Sequence, residues 1–212
     1  MNVNNLKVNY HIFENCNMKC QYCFRDKKRN FLTKINWKEI IDLLFQKGIR
    51  RINIAGGEPL IYSNILELLT YCKQKMEFVS IITNGIIFKN NHQLIKKVVR
   101  CVDLIGISVD SLDEKINKKI GRITNANETL DLETLKLINL TAIENNTKFK
   151  INTVVSSFNL NDRSLESLKF LKIDRYKILE NDQDNTININ EFNNYCEFIK
   201  NITDAEIIIE RN

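Results

Sequence analysis

The chain has 212 residues, of which 43% are hydrophobic and 27% charged, and carries a formal net charge of +5. Those figures are ordinary for a soluble protein, and the length suits one domain over residues 1–212 with a substantial buried core. The small positive excess is compatible with an anionic small-molecule substrate but too weak to argue for nucleic acid. No run of 18 apolar residues occurs, and the N-terminus runs straight into a strand-like segment. No membrane partner and a cytoplasmic location are therefore expected.

Apolar, β-branched runs alternate with amphipathic helical patterns along the whole sequence. The predicted strands are Lys7–Phe13, Arg51–Ala55, Phe78–Thr83, Asp103–Val109, Lys148–Val154, Arg175–Leu179 and Ala205–Glu210. Helices are predicted near Trp37–Gln46, Ser63–Lys75, Asn91–Val99, Leu130–Asn145, Asp162–Leu171 and Asn190–Asn201. The polar stretch Glu180–Asn188 reads as a loop with solvated carboxylates. Repeated strand–helix units imply an α/β fold, a parallel sheet with helices outside. Six units and a last strand fit an open, partial (β/α)6 barrel better than a closed eightfold one. In such folds the active face lies at the C-terminal ends of the strands.

The loop after the first predicted strand carries Cys16, Cys20 and Cys23, three thiols within eight residues, followed by Phe24. Soft thiolates select iron–sulfur centres, and three of them leave one iron of a four-iron cubane without a protein ligand. The competing reading, zinc, wants a fourth Cys or His at short spacing. His11 sits in an apparent strand, and His92 is the only other histidine. Cys72, Cys101 and Cys196 are scattered and read as structural thiols, which with an oxygen-sensitive cluster suit a reducing compartment. The C-x3-C-x2-C spacing resembles that of radical S-adenosylmethionine (SAM) enzymes, which implies a 4Fe-4S cluster whose open iron is chelated by SAM.

Gly56-Gly57-Glu58-Pro59 ends the second strand. Alone it could be an ordinary strand–helix turn; after the cysteines it looks like the radical SAM segment whose backbone meets SAM's amino group. Thr83-Asn84-Gly85 ends the third strand and Ile107-Ser108-Val109-Asp110-Ser111 the fourth. Asn84 and Ser108 become candidate SAM contacts, and Arg122 a candidate partner of the SAM carboxylate. Strand alternation puts Lys150 with Asn152, Arg175 with Lys177, Arg51 with Asn53, and Asn9 with His11, each opposite apolar neighbours. If the apolar faces meet the helices, Arg51, Lys150, Arg175 and Lys177 share the barrel interior, at the mouth that bears the cysteines. Four cations there would repel unless an anion joins them, and a polyphosphate is the natural one. The bland alternative is that these side chains snorkel to the rim.

Taken together, Val8-Asn9-Tyr10-His11, the cysteine loop and Ile52-Asn53-Ile54-Ala55-Gly56-Gly57-Glu58-Pro59 resemble one family. So do Ile107–Ser111, Gly121-Arg122, Phe149-Lys150-Ile151-Asn152 and Arg175-Tyr176-Lys177, in the same order. That family is viperin and its prokaryotic viperin-like relatives. The resemblance implies a SAM-dependent nucleotide dehydratase, a lyase of antiviral defence. It would convert a nucleoside triphosphate to a 3′-deoxy-3′,4′-didehydro chain terminator through a 5′-deoxyadenosyl radical. By position Lys150, Arg175 and Lys177 look like triphosphate ligands, with Asn9 and Asn152 as polar nucleotide contacts. Arg51 stands where the family usually has Lys, and Ala55 where it usually has Ser. An electron donor such as flavodoxin or ferredoxin is implied. The family's C-terminal extension, which closes over the nucleotide, is expected to be lacking after Glu210-Arg211-Asn212. Two alternatives stay open. One is another small radical SAM enzyme, like a 7-carboxy-7-deazaguanine synthase or an activating enzyme. The other is a catalytically weak homologue that binds nucleotides or a partner.

Overall fold

In a computed structural model, residues 6–23, 36–181 and 186–211 are described. They form seven parallel strands: β1 (Lys7–His11), β2 (Arg51–Ala55), β3 (Phe78–Thr83), β4 (Leu104–Ser108), β5 (Lys148–Val155), β6 (Arg175–Glu180) and β7 (Glu206–Glu210). Their order in the sheet is the order in the chain, β1 through β7, every neighbour parallel. A sheet that never reverses direction, with helical crossovers on one side, curls into a partial barrel. Phe24 lies outside the described residues, as does the middle of the Glu180–Asn188 loop, residues 182–185.

Strand composition explains why the convex side is dry. Ile52, Ile54, Val79, Ile81, Ile105, Ile107, Phe149, Ile151, Tyr176 and Ile178 alternate toward the helices and are buried. Each such aliphatic contributes about 1.5–3 kcal/mol by leaving water. The covering helices are α1 (Trp37–Gln46), α2 (Ile65–Lys75), α3 (Ile86–Asn90), α4 (His92–Val99), α5 (Glu114–Ile120), α6 (Leu132–Glu144) and α7 (Ile189–Ile202). Their starts are written in the sequence. Asn36, Asp113 and Asp131 accept backbone N–H groups at the starts of α1, α5 and α6, and Asn188 with Glu191 forms a capping box on α7.

Most predicted elements fall within two residues of those found. The predicted helix Asp162–Leu171 is instead a 3₁₀ turn over Ser164–Phe170. Only Leu165 and Leu168 are buried there while Phe170 is 74% exposed, and a tighter helix stacks such an i, i+3 pair on one face. Two helices carried too little periodicity to be foreseen: α3 has five residues and α5 seven. Among the described residues, no helix is long and apolar enough to cross a membrane.

Candidate active site

The rim of the barrel is built from backbone. The cysteine loop leaves β1 and lies against the β2 turn: Ile12 N donates to Ala55 O (3.1 Å), Gly57 N to Phe13 O (2.8 Å) and Glu58 N to Asn15 O (2.8 Å). Its other flank meets the end of α5, where Lys19 N donates to Gly121 O (3.2 Å) and Gln21 N to Ile120 O (3.0 Å). Approach this close leaves no room for side chains. A Cβ on Gly57 would stand 1.9 Å from Asn15 O, and one on Gly121 2.5 Å from Lys19 O. Gly121 also has φ +81°, in the left-handed region that ends helix α5. The Gly-Gly turn thus has a task the sequence did not disclose: it seats the cysteine loop.

Polar side chains complete the seat. Glu58 is 1% exposed and accepts from Leu60 N (3.0 Å), Thr83 Oγ1 (2.5 Å) and Asn84 N (2.7 Å), which welds the β2 turn to the β3 turn. Burial raises its carboxyl above the usual range, and those three donors oppose the shift. Asn84 donates to Asn17 Oδ1 (2.7 Å) and accepts from Ile86 N (3.1 Å). Arg122, the candidate SAM-carboxylate partner, is engaged within the protein. It pairs with Asp110 Oδ2 (3.1 Å) and donates to Tyr22 Oη (3.1 Å) and Ser108 O (2.6 Å). Its side chain is 11% exposed and that of Asp110 1%. Tyr22 in turn donates to Asp110 Oδ2. Within the protein, Arg122 thus joins Asp110, Tyr22 and the β4 terminus, pinning the cysteine loop to β4.

The thiols suit a cluster better than a lone ion. Burial raises the Cys20 thiol despite Arg122, whose nitrogen lies 3.9 Å from the sulfur, and Cys23 and Cys16 are near enough to add to the rise. Among the described residues, no three His, Cys, Asp or Glu groups are close enough to share one metal ion. Cys16, Cys20 and Cys23 share one loop at the rim, and three soft thiolates are the donor set that a three-ligand iron–sulfur cluster takes. Cys72 is buried in α2 with its thiol pushed up to about 12, as befits a structural thiol.

Below the rim the concave face is polar. Asn53 Nδ2 donates to Asn9 Oδ1 (3.0 Å), and Ser80 Oγ to Asn53 Oδ1 (2.7 Å). Asn152 Oδ1 is buried with no hydrogen-bond partner among the described residues. Deeper still, the sheet's curl gathers cations from β1, β2, β5 and β6. Lys7 and Arg51 lie over the Phe78 ring at 5.5 and 4.6 Å. Arg175 pairs with Glu206 (2.7 Å) and Lys177 with Glu210 (2.6 Å). Burial lowers Lys150 to about 8, helped by Lys177, Lys7 and Arg175. This corrects the expected location of the cation set. Lys7, Arg51 and Arg175 are the first residues of their strands and Lys150 and Lys177 the third of theirs, so the charges line the lower part of the lumen, Lys177 level with Asn152, and not the mouth that bears the cysteines. Rim and floor are about four strand residues apart, roughly 13 Å. Sequence reading missed Lys7, Tyr22, Asp110, Glu206 and Glu210. Lys7 was within reach, being two residues before Asn9 on the same strand face.

A model of the radical SAM superfamily matches residues 10–138. Among curated relatives, an S-adenosylmethionine-dependent nucleotide dehydratase of Fibrobacter sp. is 35% identical over 84% of this chain and 56% of its own length. The dehydratase so named in Selenomonas ruminantium is 36% identical over 82% of this chain and 65% of its own, and that of Danio rerio 34% over 82% and 49%. The chain thus spans about half to two thirds of these relatives. Among solved structures, Streptococcus suis SuiB bound to S-adenosylmethionine superposes with a TM-score of 0.70 at 20% identity, covering 98% of this chain and 50% of SuiB. A domain of a pyruvate-formate lyase-activating enzyme from Bacteroides vulgatus gives 0.59 at 18%, covering 74% of this chain and 97% of that one. At such identities the likeness concerns the fold alone, a partial barrel. By fold, by cysteine spacing and by the matched segment, this chain belongs to the radical SAM superfamily, whose enzymes use a 4Fe-4S cluster and SAM.

Proposed function

We propose that the chain is a SAM-dependent nucleotide dehydratase acting on the ribose of a nucleoside triphosphate to give a 3′-deoxy-3′,4′-didehydro nucleotide. The observation that carries this reading is the vertical order of the lumen: three thiols at the rim, an amide belt beneath them, cations on the floor. A ligand anchored by its phosphates on the floor presents its sugar toward the thiols. Cys16, Cys20 and Cys23 hold the cluster, and when bound the cluster and SAM supply a 5′-deoxyadenosyl radical for hydrogen abstraction.

The protein's own contribution is placement. Lys150, Arg175, Lys177 and Arg51 bind the phosphates, relieving the charge cost of gathering these cations. Asn9 and Asn152 hold the sugar; Asn152 offers a buried acceptor that none of the described residues satisfies. The Gly56-Gly57 turn, Asn84 and Ser108 border the SAM position, with Glu58 and Arg122 fixing that border rather than reaching into it. The superfamily's relatives at 32–36% identity that carry the dehydratase name support the substrate class. An electron donor such as flavodoxin or ferredoxin and a cytoplasmic setting complete the proposal.

The test is anaerobic reconstitution with SAM, dithionite and each of the four nucleoside triphosphates in turn. One triphosphate should raise 5′-deoxyadenosine release above the substrate-free background and yield a product lighter by one water. If none does, the dehydratase reading is wrong.

A further inference from the structure

The floor cations are not equivalent. Arg175 and Lys177 already hold carboxylates, Glu206 and Glu210 of β7, at 2.7 and 2.6 Å. Register puts the four on one face: Arg175 lies beside Glu206, and Lys177, beside Ile208, is two residues along from the Leu179–Glu210 pair. Lys7 and Lys150 are different. Among the described residues neither has an ion-pair partner, though they come from the first and fifth strands. Lys7 has Arg175, Arg51 and Lys177 as charged neighbours; Lys150 has Lys177, Lys7 and Arg175, with Glu210 opposing. Both ammonium groups have their acidity strengthened, first by burial and then by those neighbours.

We propose that Lys7 and Lys150 are the primary clamp for a phosphate chain, and that Glu206 and Glu210 are built-in counter-anions which that chain displaces from Arg175 and Lys177. An incoming phosphate gains more at Lys7 and Lys150, because no ion pair must be broken there and a standing repulsion is relieved. At Arg175 and Lys177 it first has to replace a carboxylate, so the net gain is smaller. Lys7 is thereby a phosphate-binding residue outside the set that the family resemblance supplies. Its ammonium lies over the Phe78 ring, 5.5 Å from the centroid, which holds it on the lumen side of β3. The carboxylates set a threshold. A monoanion cannot outcompete them, whereas a triphosphate brings enough charge to take both cations at once.

This clamp rests on the lumen being a phosphate site, as the dehydratase reading requires, but its test needs no radical chemistry. Isothermal titration of the full, reconstituted chain with inorganic tripolyphosphate reads the clamp directly, with inorganic phosphate as the monomeric control. Lys7→Met and Lys150→Met should each weaken tripolyphosphate binding about tenfold, more than Lys177→Met does, and Lys7→Arg should restore it. Glu210→Gln, which removes a competitor, should tighten binding by about threefold to tenfold. Circular dichroism confirms that each variant is folded; Lys7 and Glu210 are exposed enough that neither should fail. No tripolyphosphate binding, a Lys7→Met affinity within twofold of the parent, or weaker binding by Glu210→Gln overturns the proposal. A Lys7-dependent tripolyphosphate site in a chain that dehydrates no nucleotide would leave the clamp standing and remove the dehydratase reading.

Discussion

The rim and the floor of the barrel solve opposite problems. At the rim, Glu58, Asn84, Asp110, Tyr22 and Arg122 all have partners inside the protein, and two glycine turns leave the cysteine loop a single position. On the floor, cations from four strands are drawn together with carboxylates for only two of them. One region puts its folding energy into geometry. The other gives some up to keep like charges together, the cost that the proposed anion site would relieve. A cluster seat tolerates no slack, whereas a binding floor works by being incomplete.

Substitutions break this contrast in opposite directions. The largest effect belongs to Asp110→Ala, which strands the buried Arg122 and should cost about 3–5 kcal/mol in urea unfolding. Asp110→Asn should recover only part of that loss, since the charge is still missing. Gly57→Ala places a methyl 1.9 Å from Asn15 O, so the loop has to move. About 1–3 kcal/mol should go, and iron and sulfide retained after reconstitution should fall sharply. Full iron content in that variant would mean that the loop is not set by the turn. Tyr22→Phe removes one hydroxyl from the network and should cost about 1–2 kcal/mol, leaving Asp110 and Arg122 paired.

On the floor the sign reverses. Folding lowers Lys150 from 10.5 to about 8, so the folded chain binds its proton less readily than the unfolded chain. That penalty is fully present below pH 8 and fades as pH rises toward 10.5, so stability climbs through this window. Lys150→Met should therefore stabilise the protein by about 1 kcal/mol at neutral pH, after allowing for solvent screening, and should flatten the climb. Melting curves at pH 7 and pH 9.5 measure both. Tripolyphosphate affinity should follow the opposite trend and fall above pH 8 as Lys150 loses its charge.

The fold was legible because strand order equals chain order. With no strand skipped, alternation of apolar runs and helices is the whole topology, and Arg51–Ala55, Phe78–Thr83 and Trp37–Gln46 could be bounded to the residue. The thiols were equally plain. What stayed hidden depends on pairs far apart in sequence. That Arg122 has Asp110 and Tyr22 beside it could not be read from the sequence. Glu206 and Glu210 look like solvated charges on an edge strand until register sets them next to Arg175 and Leu179. Depth was hidden too. Alternation says which face a residue is on, but height along the barrel follows only from where each strand begins.

The seat of the cysteine loop has a consequence for how the protein is made. Its clamps lie far downstream: Asn17 waits for Asn84, Tyr22 for Asp110 and Cys20 for Arg122, separations of 67, 88 and 102 residues. At ordinary synthesis rates of about 5–20 residues per second, the thiols leave the ribosome roughly 5–20 s before the last clamp exists. During that interval they are bare, mobile nucleophiles open to oxidation or to the wrong metal. Iron delivery is thus a late step in biogenesis, timed by the emergence of Gly121 and Arg122 rather than by the cysteines themselves.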